Sequence, residues 1–525
     1  MIRLKDVFPA CHALLDAAPW TKAADACGLE PEKFPETLEL QAGEDSSDGY
    51  LSELARLELI VHTTRKKPLP APDTFDAIAV NPTLEAVNLS WKNLCSCLAG
   101  PHRKDSVARG DETVLVWKTT RSDNVFTRPA DHSDLLALKI IAENISPETV
   151  AGQGEISLAT VDACISAAVQ NGLLLSPPSQ LRRDTHRFSH NAVTDEKYLA
   201  APVFTLQWHL TQHCDLHCKH CYDRSDRSSL SLEQARRIVQ DLYDFSRERH
   251  VRGQISFSGG NPLLYPHFMD LYHSAADLGL NLAILGNPAQ KKKIEEIISV
   301  KEPAFYQISL EGMEDHNNSI RGAGHFRSAL DFLEILRDLE VYSMVMLTLT
   351  RDNMDQVIPL AELLRDKTDY FTFNRLSLVG EGAQLQPVDR QHFQAFLASY
   401  MAQAQNNPIM GLKDSLFNIL KHEKALPLAG GCAGFGCGAA FNFITILPDG
   451  EVHACRKFPS PIGNILSQSI AEIYDSEPAK RYRSGCQECD QCPIRPVCGG
   501  CLAIAYSFGL DIFSQKDPYC FITHK

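Results

Sequence analysis

FTLQWHLTQHCDLHCKHCY, residues 204–222, places three cysteines directly after a strand-like run. Cys214, Cys218 and Cys221 follow that run with C-x3-C-x2-C spacing. Three thiolates on one loop suit three corners of a cubane 4Fe–4S cluster and leave the fourth iron without a protein ligand. Such an open position can bind a substrate. The alternative is a three-Cys-plus-His zinc site, because His209, His213, His217 and His220 lie close by and zinc closes with four such ligands.

Outward from this segment the strand-like pattern repeats, at QISFSG (254–259), LNLAILG (280–286), FYQISLEG (305–312), YSMVMLTLT (342–350) and YFTFNRLSL (370–378). Helix-like stretches separate the runs. One starts after Ser231, an N-cap with Glu233 and Gln234 in the first turn; another, RSALDFLEILRDLE, has apolar residues at helical spacing. Six alternations predict a parallel sheet with crossover helices, in an α/β fold that is either an open (β/α)6 barrel or a doubly wound sheet. In parallel barrels the chemistry lies beyond the C-terminal ends of the strands, so the cysteine loop is expected at the barrel mouth. After the second strand, Gly259 and Gly260 permit close backbone approach to a ligand and Pro262 stiffens the turn.

HCDLHCKHCYDRSD, with the aromatic Tyr222 after the last cysteine, resembles the signature of the radical S-adenosylmethionine (SAM) superfamily. The resemblance implies a partial (β/α)6 barrel, SAM as cofactor and Cys214, Cys218 and Cys221 as ligands of the catalytic cluster. SGGNPLL is then similar to the GGE motif that holds the SAM amino group, with Gly259, Gly260, Asn261 and Pro262 in the corresponding places. Asn261 departs from it, since a neutral amide accepts a hydrogen bond from an ammonium but adds no charge. Ser309 and Glu311 of SLEG fall where similar enzymes contact the SAM ribose or methionyl end.

The chain holds 17 cysteines, and nine of them fill the C-terminus. Cys437, Gly450-x4-Cys455 and Cys489-x2-Cys492-x5-Cys498-x2-Cys501-x18-Cys520 resemble the SPASM extension of radical SAM peptide-modifying enzymes. That resemblance implies two auxiliary 4Fe–4S clusters, three in all. Cys432, Cys437, Cys455 and Cys501 would hold the first, and Cys489, Cys492, Cys498 and Cys520 the second. Cys486 is left over, to replace a neighbour or act in redox chemistry. A pair of zinc ribbons is the competing reading of the C-x2-C knuckles. Sulfatase-maturing relatives carry an acidic base just after the G-x4-C cysteine, whereas this chain has Arg456 and Lys457, so their mechanism does not transfer.

Five cysteines scattered over the first 200 residues, Cys11, Cys27, Cys95, Cys97 and Cys164, read as small buried hydrophobes. Residues 1–105 form a mostly helical region of unknown role. Residues 106–180 read as a hairpin followed by three helices, capped by Ser133, Ser146 and Ser157, the last closed by Gly172. This is a winged-helix pattern, yet its third helix carries Asp162 as its only charge, which disfavours DNA reading. The segment resembles the RiPP recognition element of enzymes that mature ribosomally made, post-translationally modified peptides, where a leader peptide adds a strand. A linker at 181–203, the barrel at 204–400 and the SPASM domain at 401–525 complete the expected order.

The 525 residues suffice for two to four domains of roughly 100–200 residues each. With 51 basic against 65 acidic residues the net charge is −14, which argues against nucleic-acid or anionic-membrane partners. Asp6 and Asp16 interrupt the first twenty residues, so no secretory signal is read and a cytoplasmic location is expected. The expected function is reductive cleavage of SAM and use of the 5'-deoxyadenosyl radical to modify a Cys-containing precursor peptide. The partners are that peptide and an electron-donating protein. The group most resembled is the selenobiotic, or thio(seleno)oxazole-modification, maturases. A SPASM enzyme acting on a haem or cofactor precursor, and a zinc-stabilised binding protein without turnover, are the alternatives.

Overall fold

β3 (Ala108–Lys118), in the first part of the chain, is exposed or half-buried over its polar first half and buried from Val114 to Lys118, where both of its faces are covered. Leu115 and Trp117 pack with Ile140, Val161 and Ile165, while Val114 and Val116 pack with Leu57 and Leu94. The computed structural model describes residues 3–522 except 29, 43–48, 72–74, 101–105, 121, 185, 187, 189–192 and 194. The chain divides into two compact units, Met1–Pro178 and Ser179–Lys525.

In the first unit, β1 (Ala79–Val80) pairs antiparallel with β5 (Leu174–Leu175), and a separate sheet has the order β2-β3-β4. β2 is Glu85–Lys92 and β4 is Val125–Pro129. Both pair antiparallel with β3. The expected border at 105/106 therefore falls inside one sheet, because a strand from the preceding region completes it. Helices His132–Ala142, Pro147–Gly154 and Leu158–Gln170 follow. Ser146 and Ser157 cap as read, but Ser133 does not: the Asp131 carboxylate accepts the Asp134 N–H at 2.8 Å in a capping box. Earlier in the unit, Cys11, Cys27 and Cys97 are buried like aliphatic side chains.

The second unit begins with a polar segment that is packed rather than extended. Arg183 is buried, with its guanidinium 3.9 Å from the Phe441 ring centroid. It donates to the main-chain carbonyls of Phe435 (2.9 Å), Cys437 (2.6 Å) and Arg483 (3.0 Å). Within the stretch read as a linker, Arg183 thus straps the chain to the C-terminal region.

β6 (Val203–His209), β7 (Arg252–Ser258), β8 (Asn281–Leu285), β9 (Phe305–Ser309), β10 (Ser343–Leu349) and β11 (Tyr370–Arg375) pair parallel in strict sequential order. A doubly wound sheet reverses its order at a switch point. This sheet does not, so the partial barrel is the arrangement formed. Helix Leu232–Glu248 starts at Ser231 with a capping box to Gln234. β12 (Phe443–Ile446) adds parallel to β6, and β13 (Glu451–His453) and β14 (Pro461–Asn464) extend the sheet antiparallel. One nine-stranded sheet therefore runs through barrel and C-terminal region, and the 400/401 border lies within helix Arg390–Ala404. No helix among the described residues is long and apolar enough to cross a membrane.

The corrected cap is testable. Asp131→Ala should destabilise helix 132–142 by about 1 kcal/mol, read as faster amide hydrogen exchange there, while Ser133→Ala should change it by less than about 0.5 kcal/mol.

Candidate functional site

The loop after β6 is fixed by main-chain bonds that only glycine permits. Gly260 N–H donates to Thr211 O and Asn261 N–H to His213 O, both at 2.8 Å. A Cβ on Gly260 would lie 2.2 Å from His213 O, and one on Gly259, at φ +142°, 2.5 Å from Thr211 O. The glycines expected to admit a ligand thus also let two loops touch.

Cys214, Cys218, Cys221, Tyr222, Gly259, Gly260 and Ser309 all line one cavity of about 200 Å3 at the C-terminal ends of the barrel strands. Hydrogen-bond donors are aimed at its sulfurs. Arg321 Nη1 lies 3.7 Å from Cys218 Sγ, and Asn287 Nδ2 lies 3.5 Å from Cys214 Sγ. Burial raises the Cys218 thiol, and Arg321 opposes it; burial also raises Cys221. Donors that favour a negative sulfur suit thiolates bound to iron.

Three other expected residues do not line this cavity. Asn261 Nδ2 donates to Asp215 Oδ1 (3.1 Å) and its Oδ1 accepts Leu263 N–H (3.2 Å), so its amide braces the loop. Pro262 is buried and opens the short 3-10 turn to Leu264. The Glu311 carboxylate is 1% exposed. It accepts from Arg321 Nη2 (2.6 Å) and Nε (2.9 Å), from Thr348 N–H (2.7 Å), and lies 2.8 Å from His220 Nε2. Burial alone would raise this carboxyl, but His220 and Arg321 outweigh it and hold it far below the carboxylate range. Glu311 therefore positions Arg321, which does line the cavity.

The Tyr222 hydroxyl meets His209 Nε2 at 2.9 Å. Burial pushes the phenol up to about 12, while burial and Arg456 pull His209 down to about 3. Both residues that replace the relatives' acidic base, Arg456 and Lys457, also line the cavity, with Arg456 Nη1 2.9 Å from Ser258 Oγ.

The C-terminal cysteines divide into two pockets. Cys432, Cys437, Cys455 and Cys501 line one, with Lys413 and Lys457 in its wall. Cys489, Cys492, Cys498 and Cys520 line the other. The thiols line walls rather than meet at a point: among the described residues no three His, Cys, Asp or Glu side chains converge at single-ion spacing. Walls of four sulfurs suit a multi-iron group.

Arg375, at the end of β11, joins these sites. Its Nη1 and Nη2 donate to Asp517 Oδ1 (2.9 Å) and Oδ2 (2.7 Å), and its Nε to Asp414 Oδ2 (2.7 Å). Sequence reasoning passed over Arg375 and Arg321; a charged residue closing the apolar run YFTFNR was the available signal for the first.

Residues 208–364 match the radical SAM superfamily, and residues 437–501 match the SPASM iron–sulfur cluster-binding domain. The chain combines a radical SAM domain with a SPASM domain. The two domains imply SAM and iron–sulfur clusters, and the geometry of the three cysteine sets fits them. Mycofactocin maturase MftC of Mycolicibacterium smegmatis is 29% identical over 347 residues, covering 62% of this chain and 84% of that protein. The subtilosin biosynthesis protein AlbA of Bacillus subtilis is 26% identical over 314 residues, 56% of this chain and 65% of its own length. An AdoMet-dependent heme synthase of Methanosarcina barkeri is 24% identical over 340 residues, 60% of this chain and 95% of that protein. Among solved structures, Streptococcus suis SuiB bound to precursor peptide SuiA has a TM-score of 0.52 at 15% identity, covering 78% of this chain and 96% of that one.

The Gly260 contact carries a prediction. Gly260→Ala sets a methyl group against two main-chain carbonyls, so reductive SAM cleavage should fall at least about tenfold. Iron held by the C-terminal cysteines should be unchanged, as counted chemically after anaerobic reconstitution.

Proposed function

We propose that this enzyme modifies a ribosomally made precursor peptide with a 5'-deoxyadenosyl radical, and that it works with three 4Fe–4S clusters. The observation that carries the reading is a shared wall: Asn374, Arg375 and Lys457 line both the three-cysteine cavity and the first four-cysteine pocket. A substrate reacting in the cavity would therefore sit beside a group able to accept the electron that an oxidation releases. AlbA and MftC, both maturation or biosynthesis proteins by name, support a peptide substrate.

When bound, the cluster at Cys214, Cys218 and Cys221 supplies the electron that cleaves SAM to methionine and the radical. The protein's share is binding, orientation and exclusion of water. Gly259 and Gly260 bring the backbone to the cavity wall, Asn261 and Asp215 hold the cysteine loop, and Glu311 fixes Arg321 beside Cys218. Arg456 and Lys457 leave no carboxylate base at the position after Cys455.

Leader capture is assigned to the first unit. β4 is an edge strand of the three-stranded sheet, and Phe126 on it and Leu135 on the following helix are exposed. An edge strand offers main-chain donors and acceptors to an added strand. The likeness to SuiB covers 78% of the chain, more than residues 179–525 contain, so it extends into this unit and supports the assignment by fold. The phrases TQHCDLHCKHCYDRSDR and SFSGGNPLLYPHF support the finer reading, a short Cys- or selenocysteine-containing substrate of the thio(seleno)oxazole-modification group. A reducing protein would supply electrons. The heme synthase relative favours a second reading, a haem or cofactor precursor as substrate.

Anaerobic reconstitution should load about 12 iron and 12 sulfide per chain, four for each of three clusters. Replacing Cys214, Cys218 and Cys221 together by Ala should remove about four iron and all 5'-deoxyadenosine formation. Stoichiometric zinc with little iron would defeat the assignment.

Co-expression with a candidate small Cys-containing peptide, followed by mass spectrometry, separates the two substrate readings. Deleting residues 1–178 should suppress that modification far more than peptide-independent SAM cleavage, because tethering raises the local peptide concentration toward the millimolar range. Equal loss of both activities would remove the leader-binding role.

A further inference from the structure

Nine cysteines serve eight expected seats in the C-terminal region, and the ninth is not remote from them. Cys486 is buried, with its Sγ 3.3 Å from Cys489 Sγ. The contact follows from the backbone. Cys486 is the N-cap of a 3-10 turn, Gln487–Cys489, closed by Cys489 N–H donating to Cys486 O at 3.2 Å. Three residues per turn set side chains i and i+3 one above the other. Main-chain bonds from Gln487 N to Phe513 O (2.9 Å) and from Glu488 N to Ser514 O (3.2 Å) hold the turn in place. Cys489, Cys492, Cys498 and Cys520 line the pocket beside it.

Sulfurs on different irons of a cubane stand well apart, whereas two sulfurs on one tetrahedral metal at about 2.3 Å each lie within about 4 Å of one another. A separation of 3.3 Å therefore aims Cys486 and Cys489 at the same corner. We infer that Cys486 is a reserve ligand of the second auxiliary cluster, able to take the iron seat of Cys489. This rests on the proposal that residues 489–520 hold such a cluster. In the exchange the Cys489 Sγ–Fe bond breaks and the Cys486 Sγ–Fe bond forms. The Cys486 thiol proton passes to the departing Cys489 sulfur across the 3.3 Å contact. Charge and iron oxidation state are unchanged, so no further reactant is needed. The opposing view is that Cys486 only donates a hydrogen bond to a seated Cys489.

The test counts iron and records electron paramagnetic resonance spectra on full-length chains reconstituted anaerobically. Wild type should hold about 12 iron, and Cys492→Ala about 8. Cys489→Ala and Cys486→Ala should each stay near 12, while the double variant falls to about 8. Cys489→Ala at the level of Cys492→Ala would overturn the inference. Wild type well below 12 would instead defeat the cluster count on which it rests. The iron of the other two sites reports folding in the same sample. Should Cys489→Ala lack it, Cys489→Ser replaces it: a wild-type, all-thiolate signal supports the exchange, and an oxygen-ligated signal overturns it.

Discussion

A single buried cation ties the reactive cavity to both cysteine pockets. The Arg375 guanidinium meets Asp517 through two parallel bonds and Asp414 through a third, and its side chain is 6% exposed. Removing one partner from such a pair typically costs about 3–5 kcal/mol, because a charge stays buried without compensation. Asp517 does more than balance it. Its Oδ2 accepts the Cys501 N–H at 2.9 Å, and its own carbonyl accepts the Cys520 N–H at 2.9 Å. One residue therefore positions a cysteine of each auxiliary set while gripping the end of the last barrel strand.

The sulfurs have a common electrostatic setting. Burial pushes the Cys437 thiol up to about 12 and Cys455 up to about 11, and it raises Cys218, Cys221 and Cys501 as well. Cations stand against this: Lys457 lowers Cys455 and Cys501, and Arg321 lowers Cys218. Metal binding must displace protons from such thiols, so loading gains as pH rises and the loaded site keeps its anionic charge beside fixed positive groups. Lysines and arginines at these walls are consistent with a chain whose net charge is nonetheless negative. Local charge follows the cofactors, and global charge follows the surface.

Spacing made the site legible where one short segment supplies several groups. Cys214, Cys218 and Cys221 could be grouped from sequence because a loop of eight residues cannot scatter them. The six strands were legible because parallel buried strands are apolar on both faces, but barrel and doubly wound sheet differ only in order, which pairing reveals and composition does not. Asp131 was missed as a cap because two oxygen-bearing residues, Asp131 and Ser133, compete within one turn. Glu311 read as a ligand contact, yet its strand end turns it toward Arg321, on the helix that follows, and His220, which is distant in sequence. β2 was missed although Val87, Leu89 and Trp91 alternate with Asn88, Ser90 and Lys92, because so short a run lies in a stretch dominated by helices. Arg183 lay in a polar run whose composition is that of a linker, and long-range carbonyls alone define its role.

That arginine bears on where the molecule can be cut. By sequence the barrel begins at residue 204, and a fragment started there would retain every strand of the nine-stranded sheet after Val203. It would lose the guanidinium that caps the carbonyls of Phe435 and Cys437, and would expose the Phe441 ring on which that group rests. A fragment that keeps this contact starts upstream of the barrel, near Ser179, where the second compact unit begins. Homologous swaps that graft a foreign N-terminal unit should keep this strap with the barrel that it closes.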